Sequence, residues 1–190
     1  MTKQMAFAHL ILQMSMFLTL GGCGSDFHAV KMNGEEYNIP LENYIGSEKG
    51  RDGEEKNLLF RLDVENSLQK QVRVLVQSGL SVCRSSINLK IMASEQCEIN
   101  ENSIVISQAK QFVRINGEFS THWQYVAVSE EGNRSVVATC YELAGLNDGV
   151  CNIPFNYNDL LFTFSVKDSA FSSVKSLHGE ISNTFSNWKI

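Results

Sequence analysis

The 190-residue chain lacks the short patterns that gather catalytic groups. It has no H-E-x-x-H pair to hold a hydrolytic zinc, no G-x-S-x-G elbow to lift a serine nucleophile, and no glycine-rich phosphate loop ahead of a helix. No C-x2-C spacing occurs among its five cysteines, and no histidine lies close to the four later ones, which removes the common zinc templates. Basic residues are few and scattered: 16 Lys and Arg stand against 21 Asp and Glu, with no cluster. That excludes nucleic acid or an anionic membrane face as the main electrostatic partner. No internal repeat is visible. A non-enzymatic protein is expected, with no catalytic residue, no cofactor and no metal site.

The first 22 residues carry an address. Lys3 is followed by an apolar stretch, Met5–Leu20, interrupted by His9, Gln13 and Ser15. A bilayer span needs about 20 predominantly apolar residues, so this segment reads as a secretory signal. It ends in Leu20-Gly21-Gly22-Cys23, which resembles the lipobox of bacterial lipoproteins. The two glycines leave the backbone open to processing enzymes. The resemblance implies cleavage after Gly22 and acylation of Cys23, so that residues 1–22 are signal, 23–26 a lipidated tether and 27–190 the folded domain. Several acyl chains, at about 0.8 kcal/mol per buried methylene, would hold it on a membrane. Gly24 stands where an aspartate retains lipoproteins at the inner membrane of enteric-type bacteria, so a periplasm-facing position on the outer membrane is expected.

With Cys23 acylated, four cysteines remain, an even set that an oxidising compartment pairs. Three connectivities are open, and local pairing, Cys83 with Cys97 and Cys140 with Cys151, is the economical one. Each bridge would close a short loop and contribute about 2–4 kcal/mol. The 168 residues from Cys23 onward suffice for one domain with a real core. Lys3 is the sole charged residue in the signal, so its removal takes the formal charge from −5 to −6.

Periodicity predicts an α+β chain that is mostly β. Asn33-Gly34 lies between short runs, a strong hairpin signal. The stretch Gly46–Asn57 is charged and glycine-rich and reads as an exposed loop. "LLFRLDVE" and "QVRVLVQ" read as paired strands, with Val72, Val74 and Val76 on one face. "SIVISQ", "QFVRING", "HWQYVAVS" and "RSVVATCYEL" continue an antiparallel meander, and the apolar run Asp159–Val166 is expected at a central position. Beyond Asp168, apolar residues at Phe171, Val174, Leu177, Ile181, Phe185 and Trp188 mark one face of an amphipathic C-terminal helix packed across the sheet. Asp168 or Ser169 is placed to cap it.

The remaining polar residues read modestly. His122 is a solvated strand-end residue and His178 a boundary residue on the helix. Glu35-Glu36, Glu54-Glu55 and Glu130-Glu131 fall in turns or polar loops and read as solvated charge. Within the Gly46–Asn57 loop, Arg51, Asp52, Glu54 and Glu55 are the candidates for contact with a partner.

The run "VKMNGEEYNIPLENYI", with its Asn-Gly turn, Tyr-x-Ile-Pro and following Tyr-Ile, resembles the opening of a loose group of small exported bacterial proteins. The ending, an apolar strand and then a helix carrying aromatic residues, is similar too. That group includes lipoproteins that act as immunity proteins against effectors delivered into the periplasm. The resemblance implies a lipid-anchored binding protein whose partner is a secreted effector. The alternative is a structural or assembly lipoprotein of the cell envelope.

Overall fold

The computed structural model describes residues 26–64, 69–78, 102–118, 121–143, 145 and 148–190. Among the described residues, ten strands build two sheets. The hairpin β1 (Phe27–Met32) and β2 (Glu35–Pro40) forms a small sheet of its own. The large sheet takes β3 (Tyr44–Lys49), β4 (Glu55–Asp63), β5 (Gln71–Ser78), β6 (Gln111–Asn116), β7 (His122–Val128), β8 (Arg134–Tyr141), β9 (Val150–Tyr157) and β10 (Leu160–Lys167). Its order is β3-β4-β5-β10-β9-β8-β7-β6, antiparallel throughout. Two meanders are therefore joined where β5 pairs with β10, which makes the most apolar strand a central one.

Period-two alternation sorts the faces. Leu58, Phe60 and Leu62 on β4, Val72, Val74 and Val76 on β5, and Phe162, Phe164 and Val166 on β10 are buried. Arg61, Arg73, Thr163 and Ser165 occupy the opposite, wetter face. Across the apolar face runs α2 (Val174–Asn187), preceded by a 3-10 turn at Asp168–Ser173. Val174, Leu177, His178, Ile181 and Phe185 are buried at helical spacing. Phe185 sits at the centre of an aromatic cluster with Tyr37, Phe60 and Phe162, its ring 4.4, 5.9 and 5.0 Å from theirs. It ties hairpin, helix and sheet into one core, and burial of each such side chain stabilises by roughly 1.5–3 kcal/mol. Residues 188–190 then return along β2: Trp188 O accepts from Asn38 N–H at 2.8 Å and Ile190 N–H donates to Glu36 O at 3.0 Å.

Three expectations change. Residues 46–57 form a β-hairpin, β3 and β4, closed by a turn over residues 50–54. The stretch lacks large apolar residues because β3 is a sheet edge, where charge is the ordinary defence against strand addition. Glu48 bridges to Lys56 and accepts from Asn57, a polar ladder in place of a core. "SIVISQ" lies in a short helix, α1 (Asn102–Gln108), although its β-branched residues favour a strand. Ile106 is fully buried and α1 contacts α2 and β9, so tertiary packing overrides local preference. At the start of the last helix no side chain caps the backbone, because Asp168 and Ser169 are bonded elsewhere.

Candidate functional site

One end of the molecule gathers three tight turns. Asn33 and Gly34 have φ of 50° and 81°, and Asn158 and Asp159 have 50° and 59°, the left-handed pairs that close two-residue hairpins with the correct twist. Asn33 Nδ2 donates to Asp159 O at 2.9 Å, and Ser78 Oγ, at the end of β5, donates to Asn33 Oδ1 at 2.5 Å. Gly34 N–H donates to Glu54 Oε2 at 3.1 Å, which brings the turn over 50–54 to the same place.

Within that end, the four residues nominated from the sequence divide. Glu55 is buried, and its carboxylate accepts the Lys31 backbone N–H at 2.9 Å. Glu54 also pairs with Lys31 Nζ at 3.3 Å. These two acids close the open edge of β1 and dock the hairpin onto β4. Arg51 and Asp52 stand exposed on the crest of the turn, where Asp52 Oδ1 accepts the Glu54 N–H at 3.2 Å. The result is a polar prominence that is stiff beneath and presents one cation and one anion above.

A second polar centre lies in the other half of the sheet. Cys140 and Cys151 face each other across β8 and β9 and form a disulfide, with their Cα atoms 4.0 Å apart. Beside it, Asp168 Oδ1 accepts from Trp123 Nε1 at 3.0 Å and from the Tyr125 hydroxyl at 2.9 Å. Its Oδ2 accepts from Arg114 at 2.9 Å, and that guanidinium lies 4.1 Å over the Trp123 ring. Trp123 in turn lies so close to Gly149 that a Cβ there would fall 2.1 Å from the ring. Burial, then the hydrogen bond to Asp168, pushes the Tyr125 phenol up to about 12. Nearby, the Ser169 hydroxyl holds the exposed Asp148 carboxyl below its ordinary value. The two sulfurs and Asp168 are close enough to suggest metal ligands. The sulfurs are spent in the disulfide, however, and the carboxylate already accepts from three side-chain donors, so the centre reads as a structural clamp.

His178 is more buried than a boundary residue, set edge-on to Phe155 with ring centroids 4.6 Å apart, and desolvation lowers its pKa. His122 is exposed, with Nδ1 3.0 Å from Thr121 Oγ1. Glu35 and Glu130 form exposed ion pairs with Lys189 and Lys110. Cys23, Cys83 and Cys97 lie outside the described residues. The Asp168 centre was missed from sequence, yet it left a trace: Trp123 and Tyr125 alternate on one strand face and both need a polar partner if buried.

No protein-family model matches the chain, and no curated protein matches it in sequence. The fold is similar to that of a solved immunity protein of the Stenotrophomonas maltophilia type IV secretion system, with TM-score 0.51 and 9% identity over 87% of this chain and 94% of that one. At that identity the shared property is the fold. A Pseudomonas aeruginosa protein of unknown function aligns over 83% of this chain and 95% of its own at 10% identity, but its TM-score of 0.31 carries no argument.

Proposed function

We propose that this chain is a binding protein of the periplasm, anchored by lipid on Cys23, which neutralises an antibacterial effector by occupying it. The supporting observation is the likeness in fold to an immunity protein across nearly the whole chain, reached independently of the sequence resemblance in residues 30–45. The polar prominence around Arg51 and Asp52 is the proposed contact. It is preformed by Glu54 and Glu55, so little conformational freedom is lost on binding. The acidic net charge would speed capture of a basic effector more than it would tighten the final complex.

The test is protection. If a secreted toxin is encoded beside this gene, cells exposed to it in the periplasm should survive when the full chain is co-produced and lose viability when it is absent. The Arg51→Ala/Asp52→Ala variant should weaken pull-down of that effector about tenfold, the loss of about 1.4 kcal/mol, with unchanged thermal unfolding. In parallel, Cys23→Ser should abolish incorporation of a fatty-acid analogue. Failure to bind or protect against any co-encoded toxin would favour the envelope-assembly reading.

A further inference from the structure

We propose that the face of the large sheet turned away from α2 is a docking surface for an acidic segment of a protein partner, anchored where Arg61 and Arg73 stand side by side. The inference does not depend on the lipid anchor or on the contact at Arg51 and Asp52.

The two arginines form no cluster in the sequence, yet the pairing of β4 with β5 makes them direct cross-strand partners. Opposed residues of an antiparallel pair project to one face, with Cβ atoms about 4.5–5.5 Å apart. Like charges set in that way repel unless an acid lies against them. None does. Among the described residues neither guanidinium forms an ion pair. Arg61 Nε donates to Glu42 O at 2.8 Å, which fixes the side chain and leaves both Nη groups without an acceptor among the described residues. Arg73 is exposed and makes no hydrogen bond to them. Asp63 shares this face of β4, but its Oδ1 accepts from Gln71 Nε2 at 3.0 Å. The fold thus carries a repulsion that it does not need, at a place where a carboxylate from outside would relieve it.

The surroundings extend the surface. The register continues from Arg61 and Arg73 through Ser165, Asn152, Thr139 and Gln124, one polar residue from each of six neighbouring strands. At about 4.8 Å per strand the row is about 24 Å long, which suits an extended segment lying across the strands. Arg134 and Lys167 add cations to the same face, while Glu48 on the edge strand is bound by Lys56. A chain of formal charge −5 therefore presents a cationic sheet face. The net charge acts at long range and would repel a dense polyanion, whereas the guanidinium pair acts at contact, each planar fork holding a carboxylate by two parallel bonds. A protein segment with a few carboxylates is the occupant that meets both conditions.

Binding of a labelled glutamate oligopeptide to the full chain at low salt tests this. Arg73→Glu should weaken binding at least about tenfold, the loss expected when a charge-assisted fork is removed. The same change should raise the thermal midpoint by about 2 °C, because it turns a repulsive cross-strand pair into an attractive one. A stabilised variant that cannot bind separates a docking role from a structural one. Lys110→Glu makes the same change of charge beside β6, at the far edge of the sheet, and should leave binding within about twofold. Equal losses in the two variants would mean that net charge alone governs binding, and would overturn the proposal. So would a wild-type chain that does not bind the peptide, or a midpoint that falls in Arg73→Glu. Stronger retention on phosphatidylglycerol vesicles than on the peptide, lost in the same variant, would assign the pair to lipid phosphate and overturn the protein partner.

Discussion

Asp168 and the Glu54-Glu55 pair are both acids that spend their charge on the chain itself, but they do so in different surroundings. Asp168 collects an indole, a phenol and a guanidinium at a half-buried point where the last helix begins. Glu54 and Glu55 collect two backbone N–H groups and one ammonium at the rim of a hairpin. A side chain donor that loses its acceptor beneath other side chains cannot turn to water, whereas a donor at a rim largely can. The difference teaches that burial of the partners, more than the number of bonds, decides what each acid contributes.

Substitution should expose the contrast. Asp168→Ala leaves Trp123 and Tyr125 without their acceptor and should cost about 3 kcal/mol in urea unfolding. Arg114→Ala, which removes only the more exposed partner, should cost much less. A result in which the two losses are equal would mean that the ion pair, and not the indole and phenol, holds the centre.

Glu55→Ala should cost about 1–2 kcal/mol because its acceptor is buried against the Lys31 N–H. Glu54→Ala should cost under about 1 kcal/mol, since its pair with Lys31 is solvent-screened. Hydrogen exchange at Lys31 separates them: it should accelerate in the Glu55 variant and stay slow in the Glu54 variant.

The smallest effect is the pH dependence of His178. Its folded pKa is lowered below 6.5 by desolvation, so the unfolded chain binds a proton that the folded chain refuses. Stability is therefore lost as pH falls through about 6.5 towards the folded value. Thermal unfolding from pH 7.5 to 5.5 should show this loss, and His178→Gln should flatten it. An identical slope in the variant would assign the loss to other groups.

Much of this arrangement was legible beforehand. The alternating valines of β5, the apolar β10 and the three-four spacing from Phe171 to Phe185 report burial directly, and each lies where its period places it. Cys140 and Cys151 were matched by proximity in sequence, and a hairpin is the structure that converts sequence proximity into a cross-strand pair. What resisted reading was decided at a distance. Nothing local marks Ile106 as helical, since its burial depends on α2, about 70 residues onward in the chain. The polar β3 hides its strand character because an edge strand needs no apolar face. Asp168 resembles any helix-start aspartate until Arg114, Trp123 and Tyr125, more than 40 residues earlier, are folded against it.

The return of residues 188–190 along β2 has a kinetic consequence. The N-terminal hairpin is synthesised long before the segment that covers its β2 edge, which lies about 150 positions later. Closing so long a loop is slow, and until it closes the free edge of β2 is open to pairing with other chains. Docking of residues 188–190 therefore ends a window of aggregation hazard for the hairpin edge.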